Sequence, residues 1–303
     1  MTAVNRITGR FAPSPSGYMH LGNVSVALLA WLSAKSRGGE IVLRIEDLDP
    51  ARSRREYAEA IMDDLQWLGL KWDRRAEDQS RRGDVYRAAL ERLKTYPCYC
   101  SRDELRAASA PHAADGRVIY SGACRHLTEA QRREKTKRPC LRVEVPDRVI
   151  AFVDGLQGPC AMDLRREWGD FIVQRADGVA AYQLAVVVDD AENGVTEVVR
   201  GRDLLSSTPT QLWLYEALGL KPPVFYHTPM LLAPDGRRLS KRDGDLNLRA
   251  MRERWKPEKI IGLIAWLHGL TDRWESVSAQ ELAGVFSWDR VRREDIRIDV
   301  NSL

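Results

Sequence analysis

The sequence predicts an α/β fold built on a parallel sheet, and three observations carry that prediction. Residues 7–47 read strand, turn, helix, strand with glycine punctuation. Strand-like and helix-like segments alternate again after residue 171. Between them, from about 96 to 170, the chain turns rich in proline, cysteine and charge, as an insertion would be. The elements follow in order. "ITGRFA" from Ile7 is a short strand, and "RFAPSPSGYMHLGN" (Arg10 to Asn23) is a stiff turn aimed at a helix start. Leu21 to Lys35 is a helix closed by Gly38 and Gly39, and "EIVLRIED" from Glu40 is the second strand. Tyr57, Ile61, Leu65 and Leu68 recur at helical spacing, so Arg54 to Leu68 is an amphipathic helix stopped by Gly69. "CLRVEV" and "VIAFVDG" are short strands of the insertion. "FIVQRADGVAAYQLAVVV" from Phe171 has the pattern of a β-hairpin, and "VTEVVRG" is a further strand. A helix begins near Ser206, and the chain from Lys256 reads as helical.

Composition narrows the function classes. The 303 residues leave room for one or two compact domains with a catalytic cleft, and the hydrophobic (44%) and charged (30%) fractions are those of an ordinary soluble chain. The longest apolar run, Val24 to Ala34, falls well short of the ~20 residues a membrane span needs. No signal-like segment is read at the N-terminus, so a cytoplasmic protein without a membrane partner is expected. Five cysteines, two of them in Cys98-Tyr99-Cys100, fit a reduced compartment and a metal site better than a disulfide framework. With 47 basic against 43 acidic residues the net charge is only +4, so no global field announces a nucleic-acid binder. Local clusters are the better candidates for RNA phosphates: Arg81-Arg82, "QRREKTKR" from Gln131 and "RVRRED" from Arg290. Taken singly, each reads first as a solvated helix face.

Two segments suggest phosphate chemistry. A helix start offers backbone N–H groups and partial positive charge, so a side-chain-poor turn there lets phosphates approach, and His20 adds a donor for charge moving between phosphates. "APDGRRLSKRDGD" (Ala233 to Asp245) is a polar loop whose Lys241 has the charge to neutralise a departing pyrophosphate.

"HLGN" and "RLSKR" resemble the HIGH and KMSKS signatures of class I aminoacyl-tRNA synthetases, and "RFAPSPSG", "RIEDLDPAR", "YQLAVVVDD" and "VVRGRDLLSSTPTQ" resemble the glutamyl subgroup. Three replacements stand out: Asn23 where the first signature ends in histidine, and Arg238 and Arg242 at the ends of the second. Glu197 stands where related enzymes often have histidine. The resemblance implies a Rossmann-type parallel sheet split by a zinc-bearing insertion and followed by a short helical C-terminal region. Residues 1–75 and 186–237 would form the nucleotide- and glutamate-binding domain, 76–185 the insertion, and 238–303 the lysine loop and helical region. It implies His20 and Lys241 as catalytic groups, with Gly22 and Asn23 joining them around ATP, which is bound with Mg2+. For glutamate it implies Arg10 and Arg200 on carboxylate, Glu46 on the ammonium and Tyr182 lining the side-chain pocket. Phe11, Ala12, Pro13 and Ser14 supply the remaining contacts. A purely structural salt-bridge set of Arg10, Arg44, Glu46 and Asp47 is the competing reading, and Asp203 and Gln211 stay unassigned.

Cys98, Cys100 and Cys124 have spacing suited to zinc, because thiolates select that metal and a closed four-ligand site holds an insertion poor in apolar residues. Resemblance to short glutamyl-type enzymes implies Tyr120 as the fourth ligand, with His112, His126 and Cys140 as alternatives. Only about sixty residues follow Lys241, which leaves no segment expected to read an anticodon at a distance. That pattern resembles the glutamyl-queuosine tRNA(Asp) synthetase branch. It implies L-glutamate, ATP and queuosine-bearing tRNA(Asp) as partners of a monomer. A minimal glutamyl-tRNA synthetase and a non-catalytic tRNA-binding paralogue are the alternatives.

Overall fold

The computed structural model describes residues 6–101, 119–237 and 246–299. Strand β1 (Thr8–Phe11) pairs in parallel with β2 (Glu40–Leu43), and β2 with the short β3 (Arg74–Arg75). A second parallel pair is β9 (Glu197–Gly201) with β10 (Val224–Thr228). The pairs lie side by side: Thr196 N donates to Thr8 O (2.9 Å), and Arg10 Nη1 donates to Val199 O (2.8 Å). The strand sequence is therefore β10, β9, β1, β2, β3, and the order reverses between β1 and β9. Such a switch point opens a crevice at the carboxyl ends of the strands.

Helix α1 (Leu21–Lys35) crosses from β1 to β2, with Val24, Leu28, Leu29, Trp31 and Leu32 all buried, because it lies between the sheet and the C-terminal helices. The turn behind it demands glycine at 39, where a Cβ would sit 2.5 Å from Ile7 O. Helix α2 (Arg55–Trp67) ends where Gly69 adopts φ +76°, as its stop signal predicts. Helix α3 (Gly83–Glu91) leads to β4 (Thr95–Cys98), the edge of an antiparallel sheet with β5 (Cys140–Val143) and β8 (Ile172–Gln174). The short α4 (Glu129–Arg133) precedes β5, and a hairpin, β6 (Val149–Asp154) and β7 (Gly158–Asp163), follows it.

The expected hairpin from Phe171 forms only in part. Gln174 bridges Ala180, but Tyr182–Glu192 is helix α5, not a strand. Its valine run favours strand locally. Tertiary burial overrides that preference, since Leu184, Ala185, Val187 and Val188 enter a core shared with Tyr86, Val198, Leu214 and Phe225. Helix α6 (Thr208–Ala217) begins two residues beyond the expected Ser206, after a 3-10 turn at Arg202–Ser207. The C-terminal part is helical only in pieces, with turns and extended chain after Leu267. It contains α7 (Leu248–Arg254), α8 (Pro257–Leu267) and the short α9 (Ala279–Ala283), and closes with β12 (Ile296–Arg297) on β11 (Leu231–Leu232).

The C-terminal part is fastened to α1 by a buried hydrogen bond between Ser25 Oγ and His268 Nε2 (2.6 Å). Burial, and then the Arg292 charge, push the His268 pKa down to about 4. The unfolded chain takes up this proton near 6.5 and the folded chain does not. Stability should therefore be level above pH 6.5 and fall by about 3 kcal/mol as pH drops from 6.5 to 4. Urea titrations across this window should show that slope in the wild type and a shallower one in His268→Gln; equal slopes would refute the assignment.

Candidate active site

The crevice between β1 and β9 is lined with ionisable groups held from below by a buried network. Arg44, with 0% of its surface exposed, follows β2 and donates from Nη1 to Asp190 Oδ1 (2.7 Å) and from Nη2 to Glu46 Oε1 (2.9 Å). Its Nε lies 3.7 Å from Asp189 Oδ2. Asp189 also accepts from Gln79 Nε2 (2.6 Å), Arg82 Nε (2.7 Å) and the Tyr86 hydroxyl (2.9 Å), while Arg10 Nε stands 3.6 Å from Asp190 Oδ2. Three guanidinium groups thus meet three carboxylates, so the cluster is neutral as a set. Burial opposes the Arg44 charge, but Asp190, Glu46 and Asp189 outweigh it and hold its pKa above the ordinary arginine value. Burial raises the Glu46 pKa despite the pull of Arg44, so Glu46 stands to gain from a second cation. Asp47 is not part of this set: it accepts the Ser80 N–H and hydroxyl (2.8 and 2.7 Å). It lines a cleft of about 590 Å3 together with Arg54, Arg75 and Arg81.

Arg200, at the end of β9, is buried and held on every side. Nε donates to His227 Nε2 (2.9 Å), Nη1 to Gln211 Oε1 (2.8 Å), and Nη2 to Thr208 Oγ1 (2.8 Å) and Leu204 O (3.4 Å). Desolvation lowers its pKa from the arginine value. Tyr182, the first residue of α5, keeps 39% of its surface open. Its hydroxyl is desolvated by the crevice walls, which raises its pKa, and it feels the charges of Arg200, Glu46, Arg10 and Asp190. Phe11 is buried in the core, Ala12 and Pro13 are half-buried, and Ser14 is exposed. Pro13 O accepts from Glu46 N (3.0 Å), which sets the two strand ends side by side. Two cations, one carboxylate and a phenol around one crevice complement a zwitterion with an acidic side chain.

His20 caps α1. Its Nδ1 accepts the Gly22 N–H (3.1 Å), and Asn23 Oδ1 accepts the His20 N–H (3.1 Å), a reciprocal capping box. Asn23 thus has a structural use at this position. The Gly22 N–H is committed to the cap, so the imidazole stands where a phosphate would otherwise meet that backbone donor. Burial lowers the His20 pKa, which favours the neutral ring. A Cβ at Gly22 would come within 3.0 Å of that ring. Lys241 lies outside the described residues. The chain beyond it is anchored at this turn: Asn247 bridges His20, and Leu248 N donates to Met19 O (3.0 Å).

Cys98, Cys100 and Cys124 bring their sulfurs within 4.8 Å of one another. Cys100 and Cys124 are 3.6 Å apart, close to the ~3.8 Å edge of a tetrahedral zinc–thiolate site. The Tyr120 hydroxyl accepts the Cys124 N–H (2.7 Å) and lies 3.4 Å from Cys98 Sγ, in the place of a fourth ligand. Hydrogen bonding from Cys140 above all, then from Tyr120, overcomes burial and lowers the Cys98 pKa well below the usual thiol value. The donor set fits zinc. Cys140 lies outside this sulfur triad with its Sγ 3.5 Å from Cys98 O, His126 is exposed, and His112 lies outside the described residues.

The family model for the catalytic domain of class I tRNA synthetases of the E and Q group matches residues 6–299. The chain belongs to this family. Among curated relatives, the "Glutamyl-Q tRNA(Asp) synthetase" of Symbiobacterium thermophilum is 50% identical, with 98% of this chain and 97% of that protein covered. The protein of that name from Nitratidesulfovibrio vulgaris is 49% identical, with 93% and 92% covered. Among solved structures, the glutamate-tRNA synthetase of Elizabethkingia anophelis superposes with a TM-score of 0.84 at 30% identity. It covers 98% of this chain and 68% of its own. The α/β fold with its parallel sheet is therefore the class I fold, and no helix among the described residues is long and apolar enough to cross a membrane.

The structure brings Arg10, Glu46, Tyr182 and Arg200 together at the crevice, with His20, Gly22 and Asn23 forming the turn that opens α1. Sequence reasoning left out Asp189, Asp190, Asp154 and His227 and did not assign Gln211. The paired aspartates of "VVVDD" were readable as buried anions only if that segment is a helix. Glu197 is explained by its neighbours, since Ser33 Oγ (2.5 Å) and Arg37 Nη2 (2.6 Å) both donate to it. Arg82 is drawn into the Asp189 network, which removes it from the expected RNA-facing pair. Replacing Arg44 by Met strands buried carboxylates and should cost about 3–5 kcal/mol of unfolding free energy, whereas an exposed pair such as Arg55 and Glu59 should contribute under about 1 kcal/mol. Chemical denaturation of Arg44→Met and Arg55→Ala distinguishes the two, and a loss below 1 kcal/mol in the first would contradict the network.

Proposed function

We propose that the chain activates L-glutamate with ATP, without RNA, and transfers the glutamyl group to the queuosine base in the anticodon of tRNA(Asp). The observation that carries this reading is 50% identity, across 98% of this chain, to a relative bearing that name. In this reading the glutamate α-carboxylate attacks the α-phosphorus of ATP and pyrophosphate leaves. A queuosine hydroxyl then attacks the carbonyl carbon of the adenylate, AMP leaves, and an ester remains. Arg10 and Arg200 would attract the substrate carboxylates, Glu46 the ammonium, and Tyr182 the side chain, with Phe11, Ala12, Pro13 and Ser14 closing the pocket. His20, Gly22 and Asn23 would face ATP and its Mg2+, and Lys241 the leaving pyrophosphate. The nucleotide- and glutamate-binding domain would comprise 1–75 and 186–237. Residues 76–185 would be the insertion, and 238–303 the lysine loop and C-terminal region. We take the protein to be a cytoplasmic monomer.

Zinc held by Cys98, Cys100, Tyr120 and Cys124 would staple the end of β4 to the chain at 120–124 within the insertion, where apolar burial is sparse. Elemental analysis should find one zinc per chain in the wild type and little in Cys124→Ser. Tyr120→Phe should hold zinc more weakly; undiminished affinity in that variant would leave the site with a different fourth ligand.

Glutamate-dependent exchange of labelled pyrophosphate into ATP should proceed with no RNA present. Lys241→Ala should slow it on the order of 100-fold or more, as expected for losing one group that stabilises a developing anion. Labelled glutamate should then enter queuosine-bearing tRNA(Asp) and be released by mild base. Nuclease digestion should return the label on the anticodon nucleoside. Equal labelling of queuosine-free tRNA(Asp), or label on the terminal adenosine of tRNA(Glu), would select the minimal glutamyl-tRNA synthetase instead.

A further inference from the structure

Behind Arg200 stand two buried groups that the proposed reaction does not use. Asp154 ends β6 in the insertion hairpin and His227 lies on β10; their exposures are 1% and 0%. The two are joined by a 2.5 Å hydrogen bond between Asp154 Oδ2 and His227 Nδ1. Proton accounting fixes the ring. Nδ1 carries a hydrogen, because the carboxylate can only accept, so in the neutral imidazole Nε2 holds a lone pair, and it is this atom that takes the Arg200 Nε–H at 2.9 Å. Burial lowers the His227 pKa, and Arg200 opposes a second ring charge. Burial disfavours the Asp154 charge, but hydrogen bonds from His227 and from the backbone of Gln157 outweigh it, so Asp154 titrates below the usual carboxylate range.

We propose that Asp154 and His227 are positioning residues that select glutamate over glutamine by fixing the orientation of Arg200, an inference that rests on the glutamate-binding reading above. Asp154 holds His227 in its Nδ1–H tautomer, and His227 holds Arg200 Nε. Thr208 and Gln211 then occupy one hydrogen on each Nη, and Leu204 O takes the second on Nη2. Only one Nη1 hydrogen lacks an acceptor among the described residues. A guanidinium locked in this way offers a substrate its positive charge and few spare donors. A carboxylate profits from that charge much more than a neutral amide does. A guanidinium free to rotate would expose more N–H groups to an amide oxygen, and the preference would shrink.

Asparagine at 154 tests the tautomer directly. Asp154 Oδ1 accepts N–H groups from Leu156 (3.0 Å), Gln157 (2.8 Å) and His227 (3.2 Å), so in Asp154→Asn the amide oxygen stays there and the NH2 faces His227 Nδ1. The ring must then carry its proton on Nε2, donor against donor with Arg200. Glutamine at 227 supplies the opposite control, since its NH2 can donate to Asp154 while its oxygen accepts from Arg200; leucine there can do neither.

The experiment is RNA-free pyrophosphate exchange on the full chain, with KM read separately for glutamate, glutamine and ATP, and glutamate binding checked by calorimetry. Asp154→Asn and His227→Leu should raise the glutamate KM about 10- to 100-fold, the scale of losing a charge-assisted, oriented contact. The ATP KM should stay within about twofold, the glutamate-to-glutamine preference should fall, and His227→Gln should restore most of both. Wild-type protein that binds no glutamate and supports no exchange would remove the underlying reading, and this inference with it. An active wild type whose two variants keep the glutamate KM and the preference would overturn the inference alone. So would a parallel rise in both KM values, which marks a merely structural role. If Asp154→Asn fails to fold, His227→Gln against His227→Leu makes the same decision.

Discussion

The rest of the structure depends on the burial of Arg44. A guanidinium with no access to water is tolerable only with anions on its donors, and Asp190, Glu46 and Asp189 provide them from the last turn of α5 and from the chain just beyond β2. That requirement fixes how α5 lies against the end of β2. It also places Tyr182, at the other end of the same helix, at the crevice mouth. The Arg10 side chain, drawn between Val199 O and Asp190, ties β1 to β9 through the same anions. The charges proposed to meet a substrate are thus extensions of the charges that hold the sheet, so the structural contacts of Arg10 and Glu46 are compatible with the proposed binding role.

The second constraint is the capped turn at His20. The reciprocal bonds of His20 and Asn23 close the start of α1, and the bridge to Asn247 draws the chain after the lysine loop against the same turn. Glycine at 22 keeps the imidazole close to its cap. This geometry accounts for the asparagine at the end of the "HLGN" signature: its side chain completes a helix cap, a task the amide performs without titrating.

Much of this was readable before any coordinates. The Leu21 to Lys35 helix, the strands from Thr8 and Glu40 and the stop at Gly69 follow from local periodicity and glycine, and the structure has them within a residue or two. The valines of 186–188 misled, because strand propensity is local while the forces that make α5 a helix, an apolar core on one side and Arg44 and Arg82 on Asp189 and Asp190, come from residues outside the segment, 146 positions away in the case of Arg44 and Asp190. Separation along the chain also hid Asp154 and His227. Nothing in "VIAFVDG" or "FYHTP" signals a partner 73 residues along the chain, and only the fold sets the two side by side. Arg200 and Glu46 were singled out through the resemblance of their motifs, which needs only residue type and order along the chain, whereas the tautomer behind Arg200 needs geometry.

One hydroxyl on α1 carries a consequence for how the chain matures. Ser33 Oγ donates to Glu197 and accepts from Arg37 Nη2 (2.7 Å) and from Trp288 Nε1 (2.8 Å), so all of its hydrogen-bonding capacity is used, and one partner comes from near the end of the sequence. While the chain is still being synthesised, residues 33, 37 and 197 can already assemble around the new sheet, but the indole stacked on Tyr226 cannot arrive until position 288 has left the ribosome. Until then that flank of the nascent domain presents a wet serine and a bare tyrosine face. Docking of this tryptophan, with Val291, Ile296 and Ile298 that follow it, closes that flank of the core last.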